Sequence, residues 1–141
     1  FAPAVLVVMN VIYALGAYPA GVLADRFAPM RLLLIGLAAL IAAELLLAFA
    51  PGVWGAFAGI AFWGAHMALT QGLFAKLIAD SAPADLRGSA FGLFNLATGI
   101  AMLAASVIAG LLWDRFSAGT TFLAGAIFAL LASALAVTRL R

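Results

Sequence analysis

An internal repeat restricts the folds open to this sequence more than any other feature. The segment Gly21–Phe27 (GVLADRF) returns as Gly110–Phe116 (GLLWDRF), 89 positions later, and the same shift pairs Gly36 with Gly125. Each copy ends a long apolar segment with an Asp-Arg pair, and another apolar segment follows at once. We therefore predict that each repeat unit is a helix, a short charged turn and a second helix.

Composition identifies the surroundings of these segments. Hydrophobic residues make up 68% of the chain and charged residues 9%, whereas about 25% of a soluble domain is charged. The lipid bilayer is therefore the predicted solvent, and five apolar runs can each cross a hydrocarbon core of about 30 Å as a helix. The predicted fold is all-α, a polytopic membrane helix bundle over residues 1–141, with helices at about 2–24, 32–50, 53–79, 86–113 and 120–137.

The orientation of the repeat units follows from the helix count. One apolar segment, 53–79, lies between the two units, so the copies face opposite sides of the membrane. Inverted repeats of this kind are typical of secondary transporters, whose substrate site lies near the bilayer midplane. The segment 53–79 lacks a repeat mate unless another helix precedes Phe1, so we predict a missing upstream helix that completes a three-plus-three unit. No targeting segment is visible at Phe1, and we expect the chain to be a fragment of a longer protein.

Several functional classes are disfavoured by the residue content. The net charge is +2, but the seven basic residues lie scattered at turns and form no basic stripe, which argues against a nucleic-acid partner. With no cysteine, one histidine and no clustered carboxylates, we expect neither a metal nor another cofactor. An enzyme would need a nucleophile and a base, or a metal, within reach of each other. We therefore predict no catalytic residues.

The distribution of basic residues predicts the topology. One side of the predicted bundle receives six of them and the other receives Arg115 alone; the six are Arg26, Arg31, Lys76, Arg87, Arg139 and Arg141. Because cytoplasmic loops carry the excess of Lys and Arg, the first side is predicted to be cytoplasmic, together with the C-terminus. The expected location is the plasma membrane, which in a bacterium is the inner membrane.

Two turns and one helix end resemble a known family. The pattern Gly21-x-x-x-Asp25-Arg26-x-Ala28-x-x-Arg31 is similar to the loop signature of the major facilitator superfamily. Residues 79–95 resemble that family's segment between its tenth and eleventh helices, and residues 110–116 resemble the end of its eleventh helix. The resemblance implies helices eight to twelve, most of a six-helix C-terminal half with inverted three-helix repeats, and an absent N-terminal half as partner.

The resemblance also implies a role for the charged turns. The candidate gating residues are Gly21, Asp25, Arg26, Arg31, Asp85 and Arg87. Asp25 stands at a helix C-terminus, where the helix dipole disfavours an acid. The family suggests that it pairs with Arg26, Arg31 or a helix N-terminus of the absent half in one access state only. Charges that merely end helices and fix topology are the alternative, for this turn and for Asp85 and Arg87.

Polar residues inside the apolar segments are candidates for a solute pathway. Tyr13, His66 and Asn95 are expected in the middle third of the core, and each shares a helix face with a second polar residue. The three pairs are Asn10 with Tyr13, His66 with Thr70, and Asn95 with Thr98. In the family, the eighth, tenth and eleventh helices line the central pathway, which implies that these six side chains line it here. The alternative is interhelical hydrogen bonding that holds helices together, worth about 0.6 kcal/mol for each bond.

Glu44 is costly because an acid lies within a hydrocarbon-spanning segment. His66 and Glu44 are the candidates for proton coupling, although we favour structural pairing or a protonated Glu44 because the family places the ninth helix at the periphery. The predicted function is a secondary active transporter for a small solute, working by alternating access, with proton coupling left open. The alternative is a non-transporting membrane assembly module or an intramembrane enzyme.

Overall fold

The computed structural model describes residues 2–139, and of Ala2 and Arg139 only the backbone. Arg141, counted above among the cytoplasmic bases, lies outside the described residues, as does the side chain of Arg139. Five helices make up the fold: α1 Ala2–Arg26, α2 Pro29–Phe49, α3 Gly52–Ser81, α4 Arg87–Arg115 and α5 Ala118–Arg139. Each is long and apolar enough to cross a membrane, which confirms the predicted all-α bundle of five spans.

The helices extend beyond the apolar runs that predicted them. α1 continues to Arg26 and α4 to Arg115, so both Asp-Arg pairs belong to the last helical turn rather than to the loop. α2 begins at Pro29, where the missing N–H of proline costs nothing because a first-turn N–H has no helical acceptor. The predicted helices stopped at the first charged residue because the apolar run stops there. Backbone hydrogen bonding nevertheless continues through the charged turn.

Very short connections join the helices. Between α2 and α3 the chain turns at Ala50 and Pro51, and Gly52 has a φ of 75°, a backbone conformation that suits glycine. The α1–α2 connection comprises Phe27 and Ala28, and that between α4 and α5 comprises Phe116 and Ser117. Such connections leave sequential helices antiparallel.

α3 is the helix around which the first three helices assemble. It packs most extensively on α2 and on α1, while α1 and α2 scarcely touch each other. Gly16 lies beside Ala68, and Ile12 lies beside Gly64, in both cases 52 positions later, so α1 and α3 run parallel. On α2 the order reverses, because Gly59 meets Leu47 whereas Thr70 meets Gly36. These close approaches rely on small residues, as is usual for helices in lipid.

α2 also packs on α5, and this contact joins the two repeat units. The Gly125 Cα lies under the Glu44 carboxyl group, and Gly119 lies near the Ala48 carbonyl oxygen, so α2 and α5 are antiparallel. Since α5 follows α4 through a short turn, α4 runs parallel to α2 and antiparallel to α1. The two Asp-Arg pairs therefore lie at opposite ends of the bundle, which is the inverted arrangement that the repeat predicted.

α4 is the least embedded helix of the described chain. It has no buried residue, and its contacts are few: Phe94 meets Phe74 of α3 with ring centroids 5.9 Å apart, and Trp113 meets Phe122 of α5 at 6.2 Å. By contrast, Leu32, Leu73 and Ala24 form a buried cluster among α1, α2 and α3. The core of this part of the protein therefore lies on the side of the bundle away from α4.

Candidate functional site

An ion pair links the ends of α1 and α3. The Lys76 Nζ lies 2.5 Å from the Asp25 carboxylate and also donates to the Ala24 carbonyl oxygen at 3.1 Å. The last carbonyl groups of a helix lack intrahelical donors and carry partial negative charge. Lys76 therefore compensates both the acid and the helix end. Because Asp25 is 74% exposed and Lys76 36%, solvent screening limits the contribution of the pair to about 1 kcal/mol at most.

Sequence reasoning missed Lys76 as the partner of Asp25. The prediction considered Arg26, Arg31 and the absent half, whereas the structure shows a base from α3. The sequence did place Lys76 on the same membrane side as Asp25, and this was the one indication that the two could pair. The sequence could not show that α1 packs parallel to α3, which brings the two residues to the same level along the helix axes.

Arg87 stabilises a second helix end on the same side. Its Nε donates to the Ala79 carbonyl oxygen in the last turns of α3, at 3.1 Å. This hydrogen bond spans the connection between α3 and α4. The other candidate gating residues are exposed and, within residues 2–139, form no ion pair; they are Gly21, Arg26, Arg31 and Asp85.

His66 makes the most specific polar contact between membrane-spanning helices. Its Nδ1 lies 2.8 Å from the Gly36 carbonyl oxygen of α2. A carbonyl oxygen can only accept, so Nδ1 carries the hydrogen and Nε2 is left to accept or take up a proton. Thr70, which is buried, donates to the His66 carbonyl oxygen at 2.8 Å. A Cβ at Gly36 would lie only 2.7 Å from the Thr70 methyl group, so glycine is needed for this approach.

Glu44 lies at the other interface of α2, where this helix packs on α5. The residue is 7% exposed, and its carboxyl group lies directly over Gly125 of α5, where a Cβ would come within 2.5 Å of Oε1. Among the described residues it has no hydrogen-bond partner, yet neither oxygen is both unpartnered and fully enclosed. The carboxyl group thus reaches the edge of the α2–α5 interface.

Two of the remaining candidate pathway residues, Asn10 and Thr98, bond within their own helices. Asn10 donates to the Leu6 carbonyl oxygen at 2.8 Å, and Thr98 donates to those of Phe94 and Asn95. Asn10 and Asn95 are exposed, whereas Tyr13 and Thr98 are half-buried.

The helix registers set the relative levels of these residues. The 52-position register places Tyr13 level with Ala65, next to His66. The Phe74–Phe94 contact places Asn95 near the level of Leu73, about 10 Å along the axis from His66. Tyr13 and His66 therefore share a level, whereas convergence with Asn95 remains a prediction.

An open groove separates α3 from α4 near the Arg87 end. Its volume is about 460 Å³, and apolar side chains including Phe74, Leu77 and Leu93 line it together with Ser81. Within residues 2–139, no group of three or more His, Cys, Asp or Glu side chains could hold a metal ion. The polar chemistry of the described chain is therefore concentrated at the α2 interfaces and at the charged helix ends.

The described chain has five bilayer-length helices, four of which form two oppositely directed repeat units. This defines a polytopic membrane protein of the inverted-repeat type. The sequence matches the family model of the Major Facilitator Superfamily over residues 2–141. The chain belongs to this superfamily, which confirms the resemblance seen in its loops.

A curated relative supports the same assignment. The chain is 31% identical over 132 residues to an uncharacterized MFS-type transporter of Methanocaldococcus jannaschii. The match covers 94% of this chain and 33% of that protein, so the chain spans about a third of its relative's length. No solved structure matches the sequence.

Proposed function

We propose that the chain corresponds to helices eight to twelve of a secondary active transporter that moves a small solute by alternating access. The observation that carries this proposal is the opposite direction of the two repeat units in a member of this superfamily, an arrangement that places a solute site near the midplane. Alternating access needs a second bundle against which this one rocks. The N-terminal half of the longer protein would supply that bundle. The two halves together would form a transporter rather than an enzyme.

The proposed orientation places the C-terminus in the cytoplasm, in a bacterial inner membrane or an equivalent plasma membrane. Arg26, Arg31, Lys76 and Arg87 all lie at the membrane end where α1 and α3 finish, whereas Arg115 lies at the other end. The excess of bases at the first end supports its cytoplasmic assignment.

The Asp25–Lys76 pair is the proposed cytoplasmic latch between α1 and α3. An exposed pair worth about 1 kcal/mol changes a two-state ratio about fivefold. That is enough to bias two access states and small enough to break in each cycle. Arg87 is proposed to hold the α3–α4 connection while the latch opens and closes.

The proposed pathway is lined by Asn10, Tyr13, His66, Thr70, Asn95 and Thr98. Asn10 and Asn95 support this role because they lie on exposed faces of α1 and α4 that the described helices leave uncovered. His66 supports it through its Nε2, which has no hydrogen-bond partner within residues 2–139 and can therefore meet a solute or a proton. If transport is coupled to protons, His66 and Glu44 are the groups proposed to carry them.

The test is solute uptake by the full-length protein in proteoliposomes against a panel of small solutes, with and without an imposed proton gradient. We expect His66→Ala and Asn95→Ala to reduce uptake at least tenfold. Gln71→Ala and Leu96→Ala are matched controls, because both residues are exposed on the same two helices, and both variants should retain uptake. Unchanged uptake in His66→Ala and Asn95→Ala would contradict the pathway assignment, and absence of flux for every solute would contradict the transporter.

A further inference from the structure

The groove between α3 and α4 is a slot with two apolar walls. One wall is a stripe of α3 that includes Phe74, Leu77 and Ser81, and the other is a stripe of α4 that includes Leu93 and Phe94. Among the residues that line the groove, Ser81 carries the one polar side chain. Leu77 is 37% exposed and Leu93 70%, so the described helices leave both walls open. An apolar molecule of the bilayer therefore has access to a groove of about 460 Å³.

The length of the groove matches one leaflet rather than the whole bilayer. Ser81 lies at its mouth, and the contact of Phe74 with Phe94 lies seven residues deeper along α3, or about 10 Å. Ala97, the deepest lining residue of α4, is ten residues from Arg87, or about 15 Å. Half of a hydrocarbon core is also about 15 Å thick. A membrane-spanning helix would need a groove of twice this length, whereas an acyl chain of one leaflet fits.

Arg87 lies at the mouth of the groove, at the level of a lipid head group. It shares a face of α4 with the lining residue Phe94, seven positions away. Its Nε donates to the Ala79 carbonyl oxygen at 3.1 Å, and within residues 2–139 its guanidinium group forms no ion pair. The hydrogen bond holds the side chain against the end of α3 and leaves the terminal nitrogens as donors. A guanidinium group held in this way can bind two oxygens of a phosphate.

The surroundings of Arg87 select among phosphate-bearing ligands. α4 begins at Arg87 without a side-chain cap, and its first N–H groups lack helical acceptors and attract negative charge. Two exposed acids lie nearby, Asp80 at the end of α3 and Asp85 on the connection. They repel a head group with net negative charge and attract an amine. The charges at the mouth therefore suit a phosphate joined to a cationic amine better than an anionic lipid.

We propose that this groove binds a zwitterionic phospholipid of the leaflet at the Arg87 end, with one acyl chain between α3 and α4 and its phosphate on Arg87. Basic sites between membrane-spanning helices are suited to lipid head groups. The bound chain covers apolar side chains of α4, the least embedded helix of the described chain. Because a ligand that binds only the folded state stabilises it, the lipid should hold α4 against α3. The lipid site is independent of whether the protein transports a solute.

Thermal unfolding of the full-length protein in detergent, with dioleoylphosphatidylcholine added in steps, tests the phosphate contact. We expect the midpoint to rise and then level off as the site fills. Arg87→Met should raise the half-saturating lipid concentration about tenfold, because it removes a charge-assisted hydrogen bond. Arg115→Met is the matched control, since it removes an exposed base from the other end of the same helix, and it should titrate like the parent protein. Equal titrations of the two variants would overturn the contact with Arg87.

A second pair of variants tests the acyl chain without changing Arg87. Leu93→Trp fills the groove and should abolish the lipid-dependent rise, whereas Leu96→Trp, at an exposed residue outside the groove, should keep it. The same rise in both tryptophan variants would refute the groove as the binding site. Absence of any rise in the parent protein, with a lowered lipid-free midpoint in Leu93→Trp, would show instead that another segment of the polypeptide fills the groove.

Two further lipids test the head group. Dioleoylglycerol lacks the phosphate and dioleoylphosphatidylglycerol is anionic, so each should give a smaller rise than phosphatidylcholine at the same concentration. An equal rise with dioleoylglycerol would remove the phosphate from the site, and a larger rise with the anionic lipid would refute the role of Asp80 and Asp85. None of these measurements involves flux, so their failure is distinct from failure of the transport assay.

Discussion

Gly64→Ala should weaken the packing of α3 on α1, and the size of the effect can be worked out from the structure. A Cβ at Gly64 would lie 2.8 Å from the Met9 carbonyl oxygen, whereas ordinary contact begins at 3.4 Å. The obstacle is backbone, which no rotamer change can relieve, so the two helices must separate by about 0.6 Å or bend. Overpacking of this kind costs about 1–3 kcal/mol, offset by up to about 1 kcal/mol from the helix propensity of alanine.

Gly72 is the matched control, since it lies on the same helix and a Cβ there meets nothing within 4 Å. Gly72→Ala should therefore be neutral or stabilising by up to about 1 kcal/mol. The assay is reversible unfolding of the full-length protein in mixed micelles, followed by circular dichroism. We expect the unfolding free energy of Gly64→Ala to fall about 1–3 kcal/mol below that of Gly72→Ala. Equal values for the two variants would show that α1 and α3 do not touch at Gly64.

Three further predictions use the same unfolding assay. His66→Asn keeps a donor near the Nδ1 position and should retain the unfolding free energy, whereas His66→Phe should lose about 0.6–1.7 kcal/mol with the interhelical hydrogen bond. Lys76→Met leaves Asp25 unpaired and should cost up to about 1 kcal/mol at low salt, a loss that shrinks at about 1 M salt as screening takes over. Gly125→Ala should displace the Glu44 carboxyl group and cost about 1–3 kcal/mol.

Each of these predictions has its own control. A salt-independent loss in Lys76→Met would point to packing of its alkyl chain rather than to charge, and Lys76→Arg should restore the pairing. The cost of Gly125→Ala should largely disappear in a Glu44→Ala background, because the colliding group is gone. If His66→Asn and His66→Phe were equally unstable, the hydrogen bond to the Gly36 carbonyl oxygen would not be what holds the imidazole.

Most of the bundle could be predicted from the sequence because the bilayer leaves few choices. In hydrocarbon every backbone group must be satisfied within its own helix, so apolar runs of sufficient length become spanning helices. The repeat then set the relative direction of the two units, and Gly36 and Gly125 already marked equivalent positions. The bounds shift by up to three residues at most helix ends, for example at the charged ends, where α2 begins at Pro29 and the Asp-Arg pairs remain helical.

The candidate site was less predictable because it depends on which faces of the helices meet. Spacing along one helix correctly placed His66 above Thr70, but could not show that the imidazole meets a backbone carbonyl group of α2. The same limit hid Lys76 as the partner of Asp25.

By itself, the sequence determined the number of helices, their alternation across the membrane and the inverted relation of the two units, since these depend on the length and order of apolar runs. Only the tertiary structure decided that Lys76 reaches Asp25, that His66 bonds to α2 and that Glu44 lies over Gly125. Those pairings depend on the rotation and register of each helix, which are set by where small side chains let two backbones approach.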